Sequence, residues 1–327
     1  MARGVNQGKV PSCEMFQHIA IVFRHALRKT YFPFNPCRVD LLPYITKLLK
    51  MISKKRVKQK KAAAPQTKNV AIYSPKFKPL SIVAIAAHLD DCWLGMGGTA
   101  LKAVRKGHRV TMIQGVSTYG AWPPVAGRGE EIKPRIQKLA DQEGIKLVTL
   151  GYDYMRMENK PSLVDQISQV LVDVGGANIF FCHWENESNQ DHVALGAASR
   201  IAAMHANCFK APKLLSGKLP REIYQFRIDR QTKHFIPDTY VNIGDVVFDL
   251  LEICTICEDI MFKDAMKSPW LTVTDHLQEN RSIRMTKLSE EKFAHTLIDG
   301  ANCNTRYAEG YKSYLSRPIA SQLLAQI

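Results

Sequence analysis

The feature that most constrains the fold is an alternation of strand-like and helix-like segments that begins at residue 81. Residues 81–87 form a continuous apolar run, which is typical of a strand buried on both faces. Helical spacing follows over 93–105 and ends at Gly107, a residue type that commonly terminates helices. The same succession recurs three more times up to residue 205. This alternation predicts a doubly wound, mostly parallel α/β sheet of Rossmann-like type, with helices on both faces.

The other predicted elements continue this pattern and then weaken. The predicted strands after the first are 109–116, 146–150 and 178–182, and the predicted helices that follow them are 130–142, 163–174 and 192–205. Beyond residue 213 a weaker strand signal covers 222–228, and helical patterns follow at 246–262, 286–298 and 305–315. Because 46% of the 327 residues are hydrophobic, the chain is long enough to bury a substantial core.

The net charge of +15 belongs to the N-terminal part of the chain. Residues 1–80 contain 17 Lys and Arg but two acids, whereas residues 81–327 contain equal numbers of basic and acidic residues. We therefore predict a basic, partly helical or disordered arm and linker over 1–80, and one globular domain over 81–327. The arm has three interpretations: a solvated tail, which we favour, a contact with a membrane surface or a polyanion, or a targeting segment. No specific nucleic-acid-binding motif is present in the sequence.

Cysteine usage and the N-terminal sequence predict a cytoplasmic protein, with peripheral membrane association through the arm left open. The eight cysteines lack the spacing of a disulfide framework, and no cleavable apolar signal follows the N-terminus. Cys254 and Cys257 have the spacing of a metal or redox pair, but a structural zinc site needs a second pair. Because the surrounding segment has helical apolar spacing, we expect both thiols to be buried in the core.

Two polar clusters follow the first and fourth predicted strands. His88, Asp90 and Asp91 come after the first strand, and residues 189–192, Asn-Gln-Asp-His, follow the fourth. Open α/β sheets bind ligands beyond the carboxyl ends of their strands, so we expect both clusters at one edge. The aspartates could instead cap the helices that follow. Two histidines and an aspartate that converge there would supply three ligands and leave one position for water, as in a catalytic zinc site.

These clusters resemble the motifs of a known enzyme family. Residues 87–91, Ala-His-Leu-Asp-Asp, and 94–99, Leu-Gly-Met-Gly-Gly-Thr, resemble the first motif of the LmbE-like (PIG-L) zinc-dependent N-deacetylases. Residues 189–192 resemble the second motif, usually His-x-Asp-His, and residues 299–300 and 307–311 resemble the C-terminal ending of the family. The resemblance covers residues 81–314 and leaves out the basic arm.

The resemblance implies a role for each residue of the two clusters. His88, Asp91 and His192 would bind one Zn²⁺ per chain. Asp90 would be the general base, and Asp191 would be the carboxylate that orients the His192 imidazole. For the family, the substrate is usually an N-acetylglucosamine moiety on a larger carrier. The resemblance therefore implies a zinc-dependent N-deacetylase that acts on an N-acetylated amino sugar.

Three positions depart from the family pattern. Leu89 replaces a proline, Cys92 replaces a glutamate, and Asn189 replaces a histidine that helps to stabilise the oxyanion or to protonate the leaving amine. Asn189 is still a catalytic candidate, because an amide can donate a hydrogen bond to an oxyanion, although it cannot act as a general acid. Two alternatives follow: a degenerate member that binds sugar or metal without turnover, or a polyanion- or membrane-binding protein that acts through its basic arm.

Substrate contacts are expected from loops that follow the strands. Trp122 could stack on a sugar ring or pack in the core. Arg128 could bind a substrate phosphate or form a surface ion pair. Glu187 and His183 could protonate the leaving amine or be structural loop residues. We take Trp122, Arg128 and Glu187 as the candidate substrate-binding residues.

Overall fold

The computed structural model describes residues 78–120, 125–205, 219–228, 234–262, 271–275, 281–314, 321–325 and 327. The predicted arm over 1–80 therefore lies outside the described residues, except for its last three. The strands are β1 (Ser81–Ala86), β2 (Arg109–Thr118), β3 (Lys146–Asp153), β4 (Ile179–His183), β5 (Glu222–Phe226), β6 (Thr239–Asn242), β7 (Leu271–Asp275), β8 (Arg281–Met285) and β9 (Ala308–Ser313). The helices are α1 (Asp91–Arg105), α2 (Gly129–Gln142), α3 (Pro161–Asp173), α4 (Gln190–His205), α5 (Val247–Met261), α6 (Lys287–Asn302) and α7 (Ser321–Leu324).

Seven strands form one mostly parallel sheet in the order β3-β2-β1-β4-β5-β9-β6. Strands β1 to β5 pair in parallel, and β9 runs antiparallel to both β5 and β6. Strands β7 and β8 form a separate antiparallel pair. Every residue of β1 and β4 is buried, as expected for central strands of a doubly wound sheet. Because β2 and β4 lie on opposite sides of β1, the strand order reverses between β1 and β4, where such sheets open a ligand-binding crevice.

The predicted alternation is confirmed for all eight elements between residues 81 and 205, with ends shifted by no more than three residues. The helix predicted over 305–315 is wrong, because residues 308–313 form β9. Tyr307 and Tyr311 are both buried, and they lie four residues apart, which is also the spacing of residues on one face of a helix. The segment fills the gap between β5 and β6, where its backbone groups pair with both neighbours. Long-range pairing thus overrides the local pattern.

A break divides α1 at Met96, whose φ of −143° and ψ of 21° are not helical. A buried ion pair satisfies the backbone groups on either side of the break. Lys292 Nζ donates to the Leu94 carbonyl at 2.6 Å, and the Glu309 carboxylate accepts the N–H groups of residues 98 and 99 at 3.0 and 2.7 Å. Lys292 Nζ lies 2.6 Å from Glu309 Oε1. We call Lys292 and Glu309 the clamp pair, since they join α6 and β9 to the helix that carries Asp91.

The two cysteines of α5 behave as predicted. Cys254 and Cys257 are free thiols that are fully buried in the core. Burial raises the pKa of the Cys254 thiol to about 12, so it is not a thiolate at neutral pH. Among the residues that the structure describes, no helix is both long and apolar enough to cross a membrane.

Candidate metal centre

The carboxyl ends of β1 and β4 bring the two polar clusters together. His88 lies just beyond β1, Asp91 is the first residue of α1, and His192 lies in the first turn of α4, which follows β4. The three residues are buried, with 8%, 2% and 6% of their surface exposed. The structure therefore places the three predicted ligands side by side, at the reversal of strand order.

Three side chains present a triangle of potential ligand atoms. His88 Nδ1 and His192 Nε2 are 3.0 Å apart, and each lies 3.2 Å from Asp91 Oδ2. A tetrahedral zinc ion with bonds of about 2.0–2.1 Å separates its ligands by about 3.3 Å. The triangle therefore fits one face of such a tetrahedron. A set of three N and O donors is also the kind that catalytic zinc sites use.

The chemistry of the triangle is suited to a cation. Two imidazole nitrogens that face each other at 3.0 Å cannot both carry a proton toward the other. Within the described part of the chain, the ion-pair partners of Asp91 are all histidines, so neither lysine nor arginine neutralises this buried carboxylate. A divalent ion would satisfy all three lone pairs at once.

Two further carboxylates approach the imidazoles from behind. Asp191 Oδ2 lies 3.2 Å from Nε2 of His88, and Glu187 Oε2 lies 3.8 Å from Nδ1 of His192. The prediction that Asp191 orients His192 is therefore wrong, because the imidazole that Asp191 contacts is that of His88. The first turn of α4 directs Asp191 toward His88, whereas Glu187, from the preceding loop, faces His192. Because the His88 Nε2–H points at Asp191, its Nδ1 keeps the lone pair that a metal needs.

Asp191 also anchors the loop after β3. Its Oδ2 accepts the Met155 N–H at 2.7 Å, and its Oδ1 accepts the Met157 N–H at 3.1 Å. Met155 has a φ of 59°, an uncommon conformation for a residue with a side chain. Asp191 is thus not the cap of α4, since it is Asn189 whose Oδ1 accepts a backbone N–H, that of Asp191, at 2.8 Å.

The electrostatics of the cluster favour positive charge at the triangle. Burial alone would lower the pKa of His88, but Asp91 and Asp191 raise it to about 9. Burial would likewise lower the pKa of His192, but Asp91 and Glu187 raise it to about 10. Burial would raise the pKa of Asp91, yet the two histidines hold it well below its usual range. The same carboxylates that raise the pKa values of the two imidazoles would also favour a divalent cation at the triangle.

Asp90 is half-buried beside the triangle but is not part of it. Burial and the neighbouring Asp91 raise its pKa to about 7, against the opposing effect of His88. A carboxyl group that titrates near neutrality is suited to accept and return a proton. Neither aspartate caps α1: Asp90 makes no side-chain capping bond, and Asp91 Oδ2 accepts the His88 N–H at 2.7 Å.

His183, the last residue of β4, packs against the triangle without joining it. Its Nε2 accepts the Ala87 N–H at 2.9 Å, and its ring stacks on His192 with 4.1 Å between centroids and 11° between planes. Imidazole lone pairs lie in the ring plane, so two stacked rings cannot direct them at one ion. His183, Glu187 and His192 therefore do not form a second metal site. Burial and His192 lower the pKa of His183 to about 4, which makes it a poor proton donor at neutral pH.

The predicted substrate-binding residues are placed differently from one another. Trp122 lies outside the described residues. The Arg128 guanidinium binds Glu131 at 3.0 and 2.9 Å and donates to the Met261 carbonyl at 2.8 Å, so it joins α2 to the end of α5. Glu187 is buried behind the triangle. Their roles toward a substrate stay predictions.

Tyr154 is a residue of the site that the sequence analysis missed. It follows β3 directly, at the same edge of the sheet, and its ring centroid lies 5.1 Å from that of His88. Its hydroxyl is a hydrogen-bond partner of the Asn189 side chain. A tyrosine in the first position after a parallel strand is the signal that points to it, because the ends of β1, β3 and β4 share one edge.

Comparisons with known proteins agree with this architecture. No family model matches the chain. An Escherichia coli (strain K12) protein described as the uncharacterized deacetylase YaiS is 25% identical over 153 residues, which are 46% of this chain and 80% of that protein.

Solved structures with the same fold come from several organisms. A conserved protein of Thermus thermophilus superposes with a TM-score of 0.56 at 20% identity, covering 72% of this chain and 95% of its own. The N,N'-diacetylchitobiose deacetylase of Pyrococcus horikoshii gives 0.53 at 17% identity, covering 86% and 94%. The 4-carboxy-2-hydroxymuconate hydratase GalB of Pseudomonas putida KT2440 also gives 0.53, at 16% identity, covering 73% and 97%.

The hydratase has the same fold as the deacetylase, so the fold alone does not determine the reaction. The comparisons show that the sheet, the helices and their order along the chain match those of solved structures. In its fold as well as in its motifs, the chain resembles the LmbE-like (PIG-L) deacetylases.

Proposed function

We propose that this chain is a zinc-dependent hydrolase that removes the acetyl group from an N-acetylated amino sugar on a larger carrier. The observation that carries the proposal is the buried triangle of His88, Asp91 and His192, with Asp90 beside it. The resemblance of both motifs to those of the deacetylases supports it. So do the relative described as a deacetylase and the fold shared with the diacetylchitobiose deacetylase.

Each residue of the site has a distinct task in the proposed hydrolysis. The zinc ion would supply Lewis-acid chemistry, which activates a water molecule and polarises the acetamide carbonyl. Asp90 accepts a proton from the water as the water oxygen bonds to the carbonyl carbon. Asp90 then returns this proton to the departing nitrogen as the C–N bond breaks. Acetic acid and a free amine leave, and Asp90 is ionised again.

The surrounding residues hold this arrangement in place. Asp191 holds the His88 ring by a hydrogen bond, and the Glu187 carboxylate faces Nδ1 of His192 at 3.8 Å, which favours the orientation that directs Nε2 at the metal. His183 stacks on His192 and stays neutral. Preorganisation of this kind lowers the reorganisation that accompanies the reaction.

The test combines metal analysis of the purified full chain with a screen of N-acetylated mono- and disaccharides and their carrier-linked forms for release of free amine. One zinc per chain and amine release that a chelator abolishes and zinc restores are the expected results. An unsaturated dicarboxylic acid is assayed for water addition in parallel, because the fold also occurs in a hydratase. Hydration without amine release would overturn the proposal.

A matched pair of histidine variants locates the metal. His192→Ala should lose zinc and activity together, with an unchanged circular dichroism spectrum. His205 is exposed in the last turn of the same helix, so His205→Ala should keep both zinc and activity. Full zinc content in the His192→Ala protein would contradict the assignment of the ligands.

A further inference from the structure

Hydrolysis of an amide builds negative charge on the carbonyl oxygen, and this charge needs hydrogen-bond donors as well as a metal. The side chains around the triangle are mostly acceptors. Asp91, Asp191 and Glu187 are carboxylates whose oxygens accept hydrogen bonds from backbone N–H groups. The described part of the site therefore offers few neutral groups with a proton, and its two tyrosines are the clearest of them.

Asn189 determines the direction in which the Tyr154 hydroxyl can donate its proton. Its Oδ1 accepts the Asp191 N–H at 2.8 Å at the start of α4, so the amide group cannot flip without losing this bond. The amide NH₂ then faces the opposite way, and the partner of the Asn189 side chain on that side is the Tyr154 hydroxyl. The phenol oxygen accepts from Asn189, which leaves its own O–H to donate elsewhere.

Tyr154 is held rigidly within reach of the site. Its N–H lies 3.0 Å from the Thr118 carbonyl and 2.9 Å from Asp153 Oδ1, and the residue after it is tied to Asp191. The ring leans on His88 with 47° between the planes. The ordinary pKa of a phenol is about 10, so Tyr154 keeps its proton at neutral pH.

Tyr119 is the other phenol near the triangle, and it is less suited to meet a substrate. It is 3% exposed, and its oxygen accepts the Leu89 N–H at 3.2 Å. Tyr154 is half-buried, so one side of it faces outward from the crevice. Of the two phenols, Tyr154 is therefore the one that is more accessible to an incoming acetamide.

We propose that Tyr154, oriented by Asn189, is a catalytic residue that donates a hydrogen bond to the oxyanion formed from the substrate carbonyl. This inference rests on the proposed function. The phenol transfers no proton, since Asp90 accepts the proton from water and returns it to the nitrogen. Asn189 acts through Tyr154 and is therefore a positioning residue.

The experiment compares Tyr154→Phe with the wild type and with Tyr152→Phe, a control on β3 that lies away from the triangle. Tyr154→Phe should lower kcat by about 10²-fold, the usual effect of losing one oxyanion donor, with KM and zinc content nearly unchanged. Tyr152→Phe should match the wild type. Asn189→Asp, which can still accept the Asp191 N–H but has no amide proton to donate, should lower kcat in the same direction and keep its zinc.

A second measurement does not depend on turnover. Methylphosphonate has a methyl group and three oxygens on tetrahedral phosphorus. It resembles the adduct of water and an acetamide, whose tetrahedral carbon bears a methyl group, two oxygens and a nitrogen. Its binding to zinc-loaded protein is measured by calorimetry. Tyr154→Phe should bind it at least tenfold more weakly, whereas acetate binding should change less. If Tyr154→Phe binds methylphosphonate more weakly than the wild type but the wild type releases no amine, the proposed hydrolase activity is overturned. The role of Tyr154 as an oxyanion donor is then kept. Equal binding, or a wild type that binds no methylphosphonate, would overturn the role of Tyr154.

Discussion

Replacing Lys292 by methionine should strongly destabilise the protein, because it leaves the Glu309 carboxylate buried without its cation. Both members of the clamp pair are almost inaccessible, at 3% and 2% exposure, and their charged atoms are 2.6 Å apart. Removal of one partner from a buried ion pair costs about 3–5 kcal/mol. Four hydrogen bonds to Glu309, from residues 98 and 99 and from Tyr311, persist and hold this cost near the lower end.

The break in α1 adds a second contribution. The Leu94 carbonyl loses its donor, Lys292 Nζ, and a buried acceptor without a partner costs about 1–3 kcal/mol. We therefore expect the free energy of unfolding to fall by about 4–6 kcal/mol. For a domain of this size, that corresponds to a Tm lower by about 8–24 °C. Urea titration followed by circular dichroism, together with calorimetry, measures both quantities.

Two comparisons make the reasoning refutable. Lys312→Met breaks a pair with Asp238 whose side chains are 38% and 39% exposed, and it should cost less than about 1 kcal/mol. Lys292→Met combined with Glu309→Gln removes the uncompensated charge, so it should recover at least about 1 kcal/mol relative to the sum of the single changes. If Lys292→Met costs no more than Lys312→Met, the clamp pair does not stabilise the break, and the argument fails.

The remaining predictions concern the metal centre and the arm. Asp91→Asn should weaken zinc binding, whereas Asp90→Asn should keep zinc and lower kcat by about two to four powers of ten; identical effects of the two changes on metal content and rate would refute the division of roles. Asp191→Asn should reduce zinc affinity by about 10–100-fold, because it removes the acceptor behind His88, and a metal-buffer titration measures this. A chain that begins at Lys78 should fold and keep the kcat of the full chain, and failure to fold would show that the arm belongs to the domain.

The sequence was sufficient to predict the features that depend on local residue patterns and on the direction of the strands. The apolar run of β1 and the strand–helix alternation predict the sheet, and parallel strands necessarily bring their carboxyl ends to one edge. That is why His88, Asp91 and His192 could be grouped from the sequence alone. Burial of Cys254 and Cys257 followed from helical spacing in the same way.

The failures have a common cause, which is contact between segments far apart in the chain. Asp191 and His192 are adjacent on a helix and point about 100° apart, so the imidazole that the carboxylate meets depends on where β1 places His88. The tyrosine spacing around β9 suits a helix, and only the gap between β5 and β6 makes it a strand. The ion pair between Lys292 and Glu309 likewise joins residues from two elements, α6 and β9, and no sequence pattern shows that they meet.

The separation of His88 and His192 along the chain, 104 residues, has a consequence for when the proposed metal site can form during synthesis. A ribosome adds about 5–20 residues per second, so about 5–20 s pass between the emergence of the first two ligands and that of the third. During this interval the nascent chain offers a histidine and an aspartate without the third donor. The complete set of three donors forms only when β4 pairs with β1, so the proposed zinc would bind late, after the parallel half of the sheet is complete.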